Sequence, residues 1–420
     1  MLDFYSPNMP ECMSDSDSKS ISNAVKLAAE SKVGKVVIPR MNARTGEPRW
    51  NIDSAILLPS DIHIVLDNCY MRQTDGSFDN VFRNENIYTD GFATADGEQR
   101  NIFITGIGNA VIDGGTPNGL TEKTSEKDGN PHIIWNNTIL LHNIDGFAIE
   151  NIKIINQRWW AINLIYATNG RVDNVTFDAK DNIPNQDGLD LRCGCHNISV
   201  SNIFGQAGDD LIALSGFMGF ERRLGFIVPE KDKDIYNVTI RNVVGTSVTK
   251  AVVALRNHDE IKLYDVTVDG VTDTSGDGQG NEPYAIVRVG QKTYSNVRPS
   301  VMGETSRIFI NNVHAAHGDA VLVNATLCDS YITNIFCAKD ARTAFSTRSD
   351  WSKVAPGAYM KNVCVSGIWC DNESDADTSL IELVSADSAD GAENLVFEKI
   401  FLKDGKSIVS SDFEEGYIIR

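Results

Sequence analysis

Two acidic phrases hold the residues best suited to acid–base chemistry. The first is Asn-Gln-Asp-Gly-Leu-Asp at 185–190, and the second is Gly-Asp-Asp at 208–210. Asp187 and Asp209 are 22 positions apart (209 minus 187). If this interval is one coil of a repeating structure, the two residues lie on neighbouring strands, roughly 4.8 Å apart. The spacing therefore predicts that the carboxyl groups of Asp187, Asp209 and Asp210 crowd one face.

Repulsion between three crowded carboxylates makes it unfavourable for all of them to ionise. One of them should therefore have a raised pKa and stay protonated beside ionised partners. Glycoside hydrolysis needs this division of labour, because one carboxylic acid protonates the leaving oxygen while a carboxylate activates water or attacks the sugar. The alternative is that the acids cap turns or bind a structural ion, as Asp-Gly and Gly-Asp pairs in loops often do.

The overall charge limits the classes of partner. The chain has a formal net charge of −19 and a pI near 4.8. Nucleic acids and anionic membranes favour clustered Lys and Arg, so neither is expected as a partner. An acidic sugar remains compatible with this charge, provided that its binding cleft contains a local basic patch.

The chain shows no targeting or membrane signal. It has no run of about 18 apolar residues, and residues 1–11 lack the basic-then-apolar layout of a secretory leader. We therefore expect a cytoplasmic protein, or a secreted or periplasmic one if a leader has been removed. We predict that the eight cysteines are free, buried thiols. Cys193-Gly-Cys195-His196 lacks a second ligand pair at zinc-like spacing, so no metal or other cofactor is expected.

A recurring phrase gives the main prediction of the fold. From Ile139 onward, an Asn followed by a β-branched residue recurs between short alternating strands. Several intervals are roughly 22 to 28 residues and others are longer, which fits a β-solenoid with loop insertions. Asn tolerates the left-handed conformation, so equivalent turns can stack Asn on Asn. The phrase begins at Asn151, Asn174, Asn202, Asn242, Asn312 and Asn362.

One helix precedes the repeats. Apolar residues at 21, 24, 25 and 28 predict a helix over about Lys19 to Lys32, which would cap the first coil. No convincing amphipathic helix follows, which argues against a doubly wound sheet. A β-propeller or a β-sandwich explains the Asn positions less well. We predict an all-β chain that folds as one right-handed parallel β-helix domain over 1–420, with a capping helix at about 15–35 and catalytic coils at about 140–300.

These phrases resemble a known family. The stretch 185–190 is similar to the Asn-Thr-Asp-Gly-x-Asp signature of glycoside hydrolase family 28, the polygalacturonase family, and 208–210 is similar to its Gly-Asp-Asp signature. The early helix with the strand at 36–39, the Gly-rich phrases at 106–115, and the stretch from Asn151 to Trp160 also resemble phrases of that family. The resemblance covers most of the chain from Asp15 to about Asn324.

The resemblance implies an inverting hydrolase of α-linked galacturonate or a related pectic sugar on a parallel β-helix. Asp209 would be the general acid, and Asp187 with Asp210 would hold and deprotonate the attacking water. Asn185 matches the family's Asn and would help to order the site.

The sequence departs from the family pattern where the substrate carboxylate would be held. Gln186 replaces the usual Thr, and no Gly-His-Gly follows the paired acids, where the chain offers Arg222-Arg223 instead. In place of Arg-Ile-Lys the sequence has Arg256-Asn-His258.

Several residues are candidates for substrate contact. Arg256 lies 46 positions past Asp210 (256 minus 210), which predicts a place about two coils on. His258 or Lys262 would stand in for the missing Lys. Trp159 and Trp160 precede the acidic phrases by one coil, and alternation within a strand predicts that one is buried and the other exposed for stacking on sugar. The substrate-binding set is Asn185, Arg256, His258, Lys262, Arg222, Arg223 and Trp160.

Two other functions remain open. A pectic polysaccharide lyase or epimerase on the same fold would use bound calcium and an Arg base. A non-catalytic carbohydrate-binding solenoid would use the acids only in turns, although the segment from Thr326 to Arg420 has no heptad pattern for a trimeric spike. The expected partner is a pectic oligo- or polysaccharide, and the oligomeric state is left open.

Overall fold

The computed structural model of the protein describes most of the chain. The described residues are 2–87, 97–119, 136–179, 183–223, 225–276, 282–290, 298–348, 359–371, 379–385, 390–402 and 408–420.

Short strands dominate this part of the chain. The two helices described are α1 Asp17–Glu30 and α2 Met218–Arg223. The strands are β1 Lys35–Pro39, β2 Trp50–Ile52, β3 Ile56–Leu58, β4 Ile62–Asp67, β5 Tyr70–Gln73, β6 Phe82–Asn84, β7 Gln99–Ile107, β8 Val111–Asp113, β9 Ile139–Ile155, β10 Ile162–Asp178, β11 Leu189–Arg192, β12 His196–Ala207, β13 Ile212–Gly216, β14 Ile235–Ser247, β15 Ala251–Asn257, β16 Leu263–Asp273, β17 Ala285–Val289, β18 Thr305–Ala315, β19 Asp319–Val323, β20 Leu327–Cys337, β21 Thr343–Ser346, β22 Tyr359–Cys370, β23 Ile381–Leu383, β24 Gly391–Leu402, β25 Val409–Ser411 and β26 Tyr417–Ile419.

The pairing of these strands is that of a parallel β-helix. All pairings between the named strands are parallel. From β11 onward each strand pairs with the next but one, so the odd-numbered strands form one ladder and the even-numbered strands another. A chain that returns to the same ladder once per coil stacks like residues on like residues. The prediction of a parallel β-helix is therefore confirmed.

Five Asn of the recurring phrase, at 151, 174, 202, 242 and 312, share one row of register partners, whereas Asn362 lies in a second row beside Asp329. All six Asn of the recurring phrase have positive φ, with values between 52° and 58°. Their amides connect neighbouring coils: the Asn174 Nδ2 donates to the Asn151 Oδ1 at 2.8 Å, and the Asn242 Nδ2 donates to the Asn202 Oδ1 at 2.7 Å. Asn suits this position because its short polar side chain tolerates the left-handed conformation.

The core fills the interior of the coils. Inward positions form continuous columns in register, for example Ile162 beside Leu189 and Leu189 beside Ile212. These three side chains are fully buried, and burying each such side chain contributes about 1.5–3 kcal/mol.

Helix α1 lies at the start of the coils, as predicted. The Ser16 Oγ caps the helix by accepting a hydrogen bond from the backbone N–H of Lys19 at 3.2 Å, so the helix begins at Asp17 rather than at Lys19. Its buried face contains Ile21, Ala24 and Val25. In the described part of the chain, no helix is long and apolar enough to cross a membrane.

Candidate active site

The three acids predicted from the sequence lie together at one edge of the odd-numbered ladder. Asp187 precedes β11, and Asp209 and Asp210 precede β13. The two strands are parallel neighbours. Within the described residues, one carboxylate oxygen from each acid lies within 4.8 Å of the others. The structure thus places Asp187 one strand from the paired acids, as the interval of 22 residues predicts.

The three acids differ in exposure. Asp187 and Asp210 are buried, at 2% and 0% exposure, whereas Asp209 is partly exposed. Two backbone N–H groups fix the carboxylate of Asp209, because the Asn185 N–H donates to Oδ2 at 2.9 Å and the Asp210 N–H donates to Oδ1 at 3.1 Å. Asp209 is therefore the member of the group whose oxygen is best placed to meet a substrate. The contact of Asn185 with Asp209 is made by its backbone.

Two of these acids have raised pKa values. Burial raises the pKa of Asp187 well above its ordinary value, and the negative charges of Asp190, Asp209 and Asp210 raise it further. Burial also raises the pKa of Asp209, and the charge of Asp210 adds to the effect. The hydrogen bond from Asn185 acts in the opposite direction because it favours the ionised form. Burial first, and the crowding of the acids second, thus favour protonation of Asp187 and Asp209.

Asp210 is held by two guanidinium groups. The Arg256 Nη2 and the Arg288 Nη2 each lie 3.2 Å from the Asp210 Oδ2, and the backbone N–H of Ala251 donates to Oδ1 at 2.9 Å. Two positive charges and one backbone donor compensate the burial of this carboxylate. This arrangement suits a carboxylate that acts as a base or orients water.

Arg288 is absent from the set of site residues predicted by the sequence. It lies on β17 in a row of register partners that also contains Asp190, Ala213 and Ala254. The two Ala side chains leave space for the Arg288 side chain to reach Asp210. The sequence does contain an indication of this role. Arg288 is the single charged residue of the apolar strand Ala285–Val289, and a buried charge needs a partner.

Ala213 faces this site rather than the core. The core residues of β13 are Ile212 and Leu214, whereas Ala213 clusters with Ala251 and Ala254. Alternation counted from Leu211 would place Ala213 inward, but Leu211 is buried and precedes the strand, so such a count is out of phase by one residue.

Arg256 lies one coil past Asp210, not two. Strand β15 pairs directly with β13, with Val253 opposite Ile212, an interval of 41 residues (253 minus 212). The coil is long because α2 and the segment that follows it lie between β13 and β14. The Phe226 carbonyl of that segment hydrogen-bonds the His142 Nε2 at 2.6 Å.

Asp190 is a fourth acid beside the predicted three. It lies on β11 between Asn163 of β10 and Ala213 of β13, and it is 0% exposed. Neither of its carboxyl oxygens has a hydrogen-bond partner among the described residues. Burial raises the pKa of Asp190 to about 8, although the charges of Arg192 and Arg256 oppose this rise.

Trp160 and Trp159 are both buried, at 6% and 3% exposure, so the prediction that one of them is exposed is wrong. The residues precede β10, which begins at Ile162, and the alternation of a strand does not apply to them. The Trp160 ring lies 4.7 Å from the Cζ of Arg192. Phe217 also faces that guanidinium, 5.5 Å from its ring centroid.

The remaining predicted substrate contacts are more scattered. His258 is buried and its ring packs against Phe217, with the ring centroids 4.8 Å apart. Burial lowers the pKa of His258 to about 4, and the charge of Arg256 contributes, so the imidazole is neutral at pH 7. Lys262 is exposed, and its backbone N–H donates to the Asp234 Oδ1 at 2.8 Å. Arg222 is exposed on α2, and the side chain of Arg223 lies outside the described residues.

The spacing of Asp187, Asp209 and Asp210 would also suit a bound cation, since hard cations prefer carboxylate oxygens. The positive charges of Arg256 and Arg288 on Asp210 oppose a cation at that carboxylate. The arrangement fits proton transfer better than it fits cation binding.

Comparisons with known structures show the same architecture. A tailspike protein of E. coli bacteriophage HK620, in complex with a pentasaccharide, matches with a TM-score of 0.64 and 15% identity over 95% of this chain and 72% of that one. The A-module of a mannuronan C-5 epimerase from Azotobacter vinelandii matches with a TM-score of 0.54 and 11% identity over 99% of each chain. A polygalacturonase from Erwinia carotovora matches with a TM-score of 0.53 and 14% identity over 97% and 94%. At these identities the likeness concerns the fold.

The family comparison concerns the sequence around the acids. The model of glycosyl hydrolases family 28 matches residues 65–222, the segment that contains Asp187, Asp209 and Asp210. The resemblance indicated by the motifs is thus confirmed, and residues 65–222 carry the sequence pattern of glycosyl hydrolases family 28 on a parallel β-helix.

Proposed function

We propose that the protein hydrolyses the glycosidic bond of an α-linked galacturonate or a related pectic sugar. The observation that carries this proposal is the convergence of Asp187, Asp209 and Asp210 within 4.8 Å, inside the segment that matches glycosyl hydrolases family 28. Asp209 acts as the general acid, since it is partly exposed and its pKa is raised. Asp210, which is paired with two arginines, deprotonates the attacking water, and Asp187 helps to hold that water in place.

Three arginines favour an anionic substrate. Arg192, Arg256 and Arg288 surround the acids, and Arg256 and Arg288 contact Asp210 directly. In a protein with a net charge of −19, they form the local basic patch that an acidic sugar requires. Guanidinium groups suit carboxylates because their donors match the two carboxylate oxygens.

Two observations bear on the stereochemistry, and they point in different directions. The family resemblance implies inversion. The oxygens of the three acids lie within 4.8 Å of one another, whereas the carboxyl groups of inverting enzymes are typically about 6.5–9.5 Å apart. NMR of the first product decides between the two mechanisms: a β-anomer from an α-linkage indicates inversion, and an α-anomer means that one carboxylate acts as a nucleophile instead.

The test of the activity is reducing-sugar release from oligogalacturonides and a panel of pectic fragments, with and without a chelator. We expect saturated products that form with chelator present, and a loss of about 100-fold to 10,000-fold in rate for Asp209→Asn, which removes the proton donor. Asp319→Asn is the control for loss of an acid elsewhere on the same ladder, because Asp319 begins β19, three strands beyond β13. If no pectic substrate is cut, the proposal fails.

The fold likeness to a mannuronan C-5 epimerase supports a second candidate function, namely a lyase or epimerase reaction in which a proton next to the sugar carboxylate is removed. Calcium-dependent formation of unsaturated or epimerised products would establish it in place of hydrolysis.

A further inference from the structure

The buried acid Asp190 has no place in the mechanism above, although it lies inside the same cluster. Its carboxyl group is 0% exposed, and neither oxygen is hydrogen-bonded among the described residues. An ionised carboxylate without hydrogen bonds is very costly to bury, whereas a neutral carboxylic acid is much less so. Asp210 shows the contrast, since it is equally buried but is ion-paired with Arg256 and accepts hydrogen bonds from Arg288 and the backbone N–H of Ala251.

The neighbours of Asp190 offer acceptors for a proton. Its register partner Asn163 donates through Nδ2 to the Asn137 Oδ1 at 2.7 Å, which leaves the Asn163 Oδ1 without a donor among the described residues. The Asp187 Oδ1 is also buried and unpartnered. A protonated Asp190 can donate one hydrogen bond to such an acceptor, whereas an ionised Asp190 can donate none.

We propose that Asp190 is a positioning residue that stays a neutral carboxylic acid in the working enzyme, so that the buried cluster keeps an excess of positive charge for an anionic sugar. This inference rests on the proposed function. It does not require Asp190 to touch the substrate.

The net charge of the cluster explains why a neutral Asp190 favours an anionic sugar. Arg192 on the same strand, Arg256 on β15 and Arg288 on β17 supply three positive charges. With Asp209 protonated as the general acid and Asp190 neutral, at most two carboxylates, those of Asp187 and Asp210, are ionised. The cluster then carries at least one net positive charge, which ionisation of Asp190 would cancel. Because burial raises the pKa of Asp190 to about 8, we expect this net positive charge to be lost only above neutral pH.

The experiment separates binding from catalysis. Calorimetric titration of trigalacturonate into Asp209→Asn would be compared with Asp209→Asn/Asp190→Asn between pH 6 and pH 9. We expect equal affinity at pH 6, and a weakening of about 5-fold to 10-fold by pH 9 that only the variant retaining Asp190 shows, equivalent to roughly 1–1.4 kcal/mol. Asp209→Asn/Asp319→Asn should behave like Asp209→Asn, since Asp319 has its own arginines, Arg342 and Arg348.

Two outcomes would overturn the proposal. One is a large loss of affinity at pH 6 in the variant that also carries Asp190→Asn, because the carboxylate would then be needed in its ionised form. The other is the same alkaline weakening in both variants. Failure of the proposed function is distinguishable, since trigalacturonate would then bind to neither variant at any pH.

A second measurement needs no substrate. In wild-type protein labelled with ¹³C at the Asp carboxyl groups, we expect an NMR signal that titrates near pH 8, and Asp190→Asn should remove it. If no Asp signal titrates above pH 6, Asp190 is not held neutral and the proposal is wrong.

Discussion

Arg288 and Asp210 form a buried ion pair that spans two strand spacings, with the Arg288 Nη2 3.2 Å from the Asp210 Oδ2. Both residues are at most 1% exposed. Ala254, on the intervening strand β15, leaves the path of the side chain open. The pair connects the coil of Asp209 and Asp210 to the coil that begins with β17, so it fixes the Asp210 carboxylate from the far side.

Removing Arg288 should therefore destabilise the protein. Truncating one partner of a buried pair leaves an uncompensated charge and costs about 3–5 kcal/mol. Because Arg256 still contacts Asp210, we expect Arg288→Met to fall at the lower end of this range in urea unfolding. Arg288→Met/Asp210→Asn should lose less than the sum of the single variants. Strict additivity would mean that the two groups do not interact.

The pH dependence of stability follows from the raised pKa values. An acid whose pKa is higher in the folded state than in the unfolded state stabilises the fold at low pH, and that stabilisation is lost as the pH rises through the folded value. For Asp190 the window runs from the unfolded value near 3.8 up to about 8. We expect the wild type to lose stability across this window, and Asp190→Asn to show a flatter profile of melting temperature against pH.

The control for this profile is Asp265→Asn. Asp265 is half-exposed, and its hydrogen bond and ion pair with Arg307 lower its pKa, so its contribution has the opposite sign. If the profiles of Asp190→Asn and the wild type run parallel between pH 4 and pH 8, the assignment of the raised pKa to Asp190 is wrong.

The sequence predicted the fold well because its strongest signals were local and repeated. A residue with positive φ recurs at the same register position of successive coils, and Asn fills that position at 151, 174, 202, 242 and 312, so the phrase marks these coils directly. The acidic phrases likewise fall one coil apart because β12 and its turns contain no long insertion. A local pattern that repeats along the chain predicts the fold without knowledge of which distant residues are in contact.

Of the three arginines beside the acids, the sequence predicted only Arg256, because those contacts depend on insertions and on register. The insertion that contains α2 lengthens the coil from β13 to β15 to 41 residues. Counting residues therefore placed Arg256 two coils past Asp210 rather than one. Arg288 lies 78 positions from Asp210, and only the register of β13, β15 and β17 brings them together. The prediction that Trp159 and Trp160 face opposite sides was wrong for a related reason, since both residues precede strand β10.

The Asn turns should contribute to stability through their backbone conformation. Asn242 has φ +53°, and its side chain donates to Asn202 of the previous coil. Ala in the left-handed conformation costs about 1–2 kcal/mol, and Asn242→Ala also loses the amide contact. We expect Asn242→Ala to be destabilised by about 1–2 kcal/mol in urea unfolding and Asn242→Gly by less, because Gly adopts this conformation freely. Equal losses would assign the effect to the hydrogen bond instead.

Substitution of Trp160 tests whether this ring binds sugar or supports Arg192. The ring is 6% exposed and lies over the Arg192 guanidinium, which favours a supporting role. Cation–π contacts contribute about 2 kcal/mol when they are desolvated. Trp160→Phe keeps an aromatic face and should remain close to the wild type in KM, whereas Trp160→Leu should lose about 2 kcal/mol or more of stability, because burial is also reduced. A large rise in KM for Trp160→Phe with unchanged stability would instead assign the ring to direct contact with the substrate.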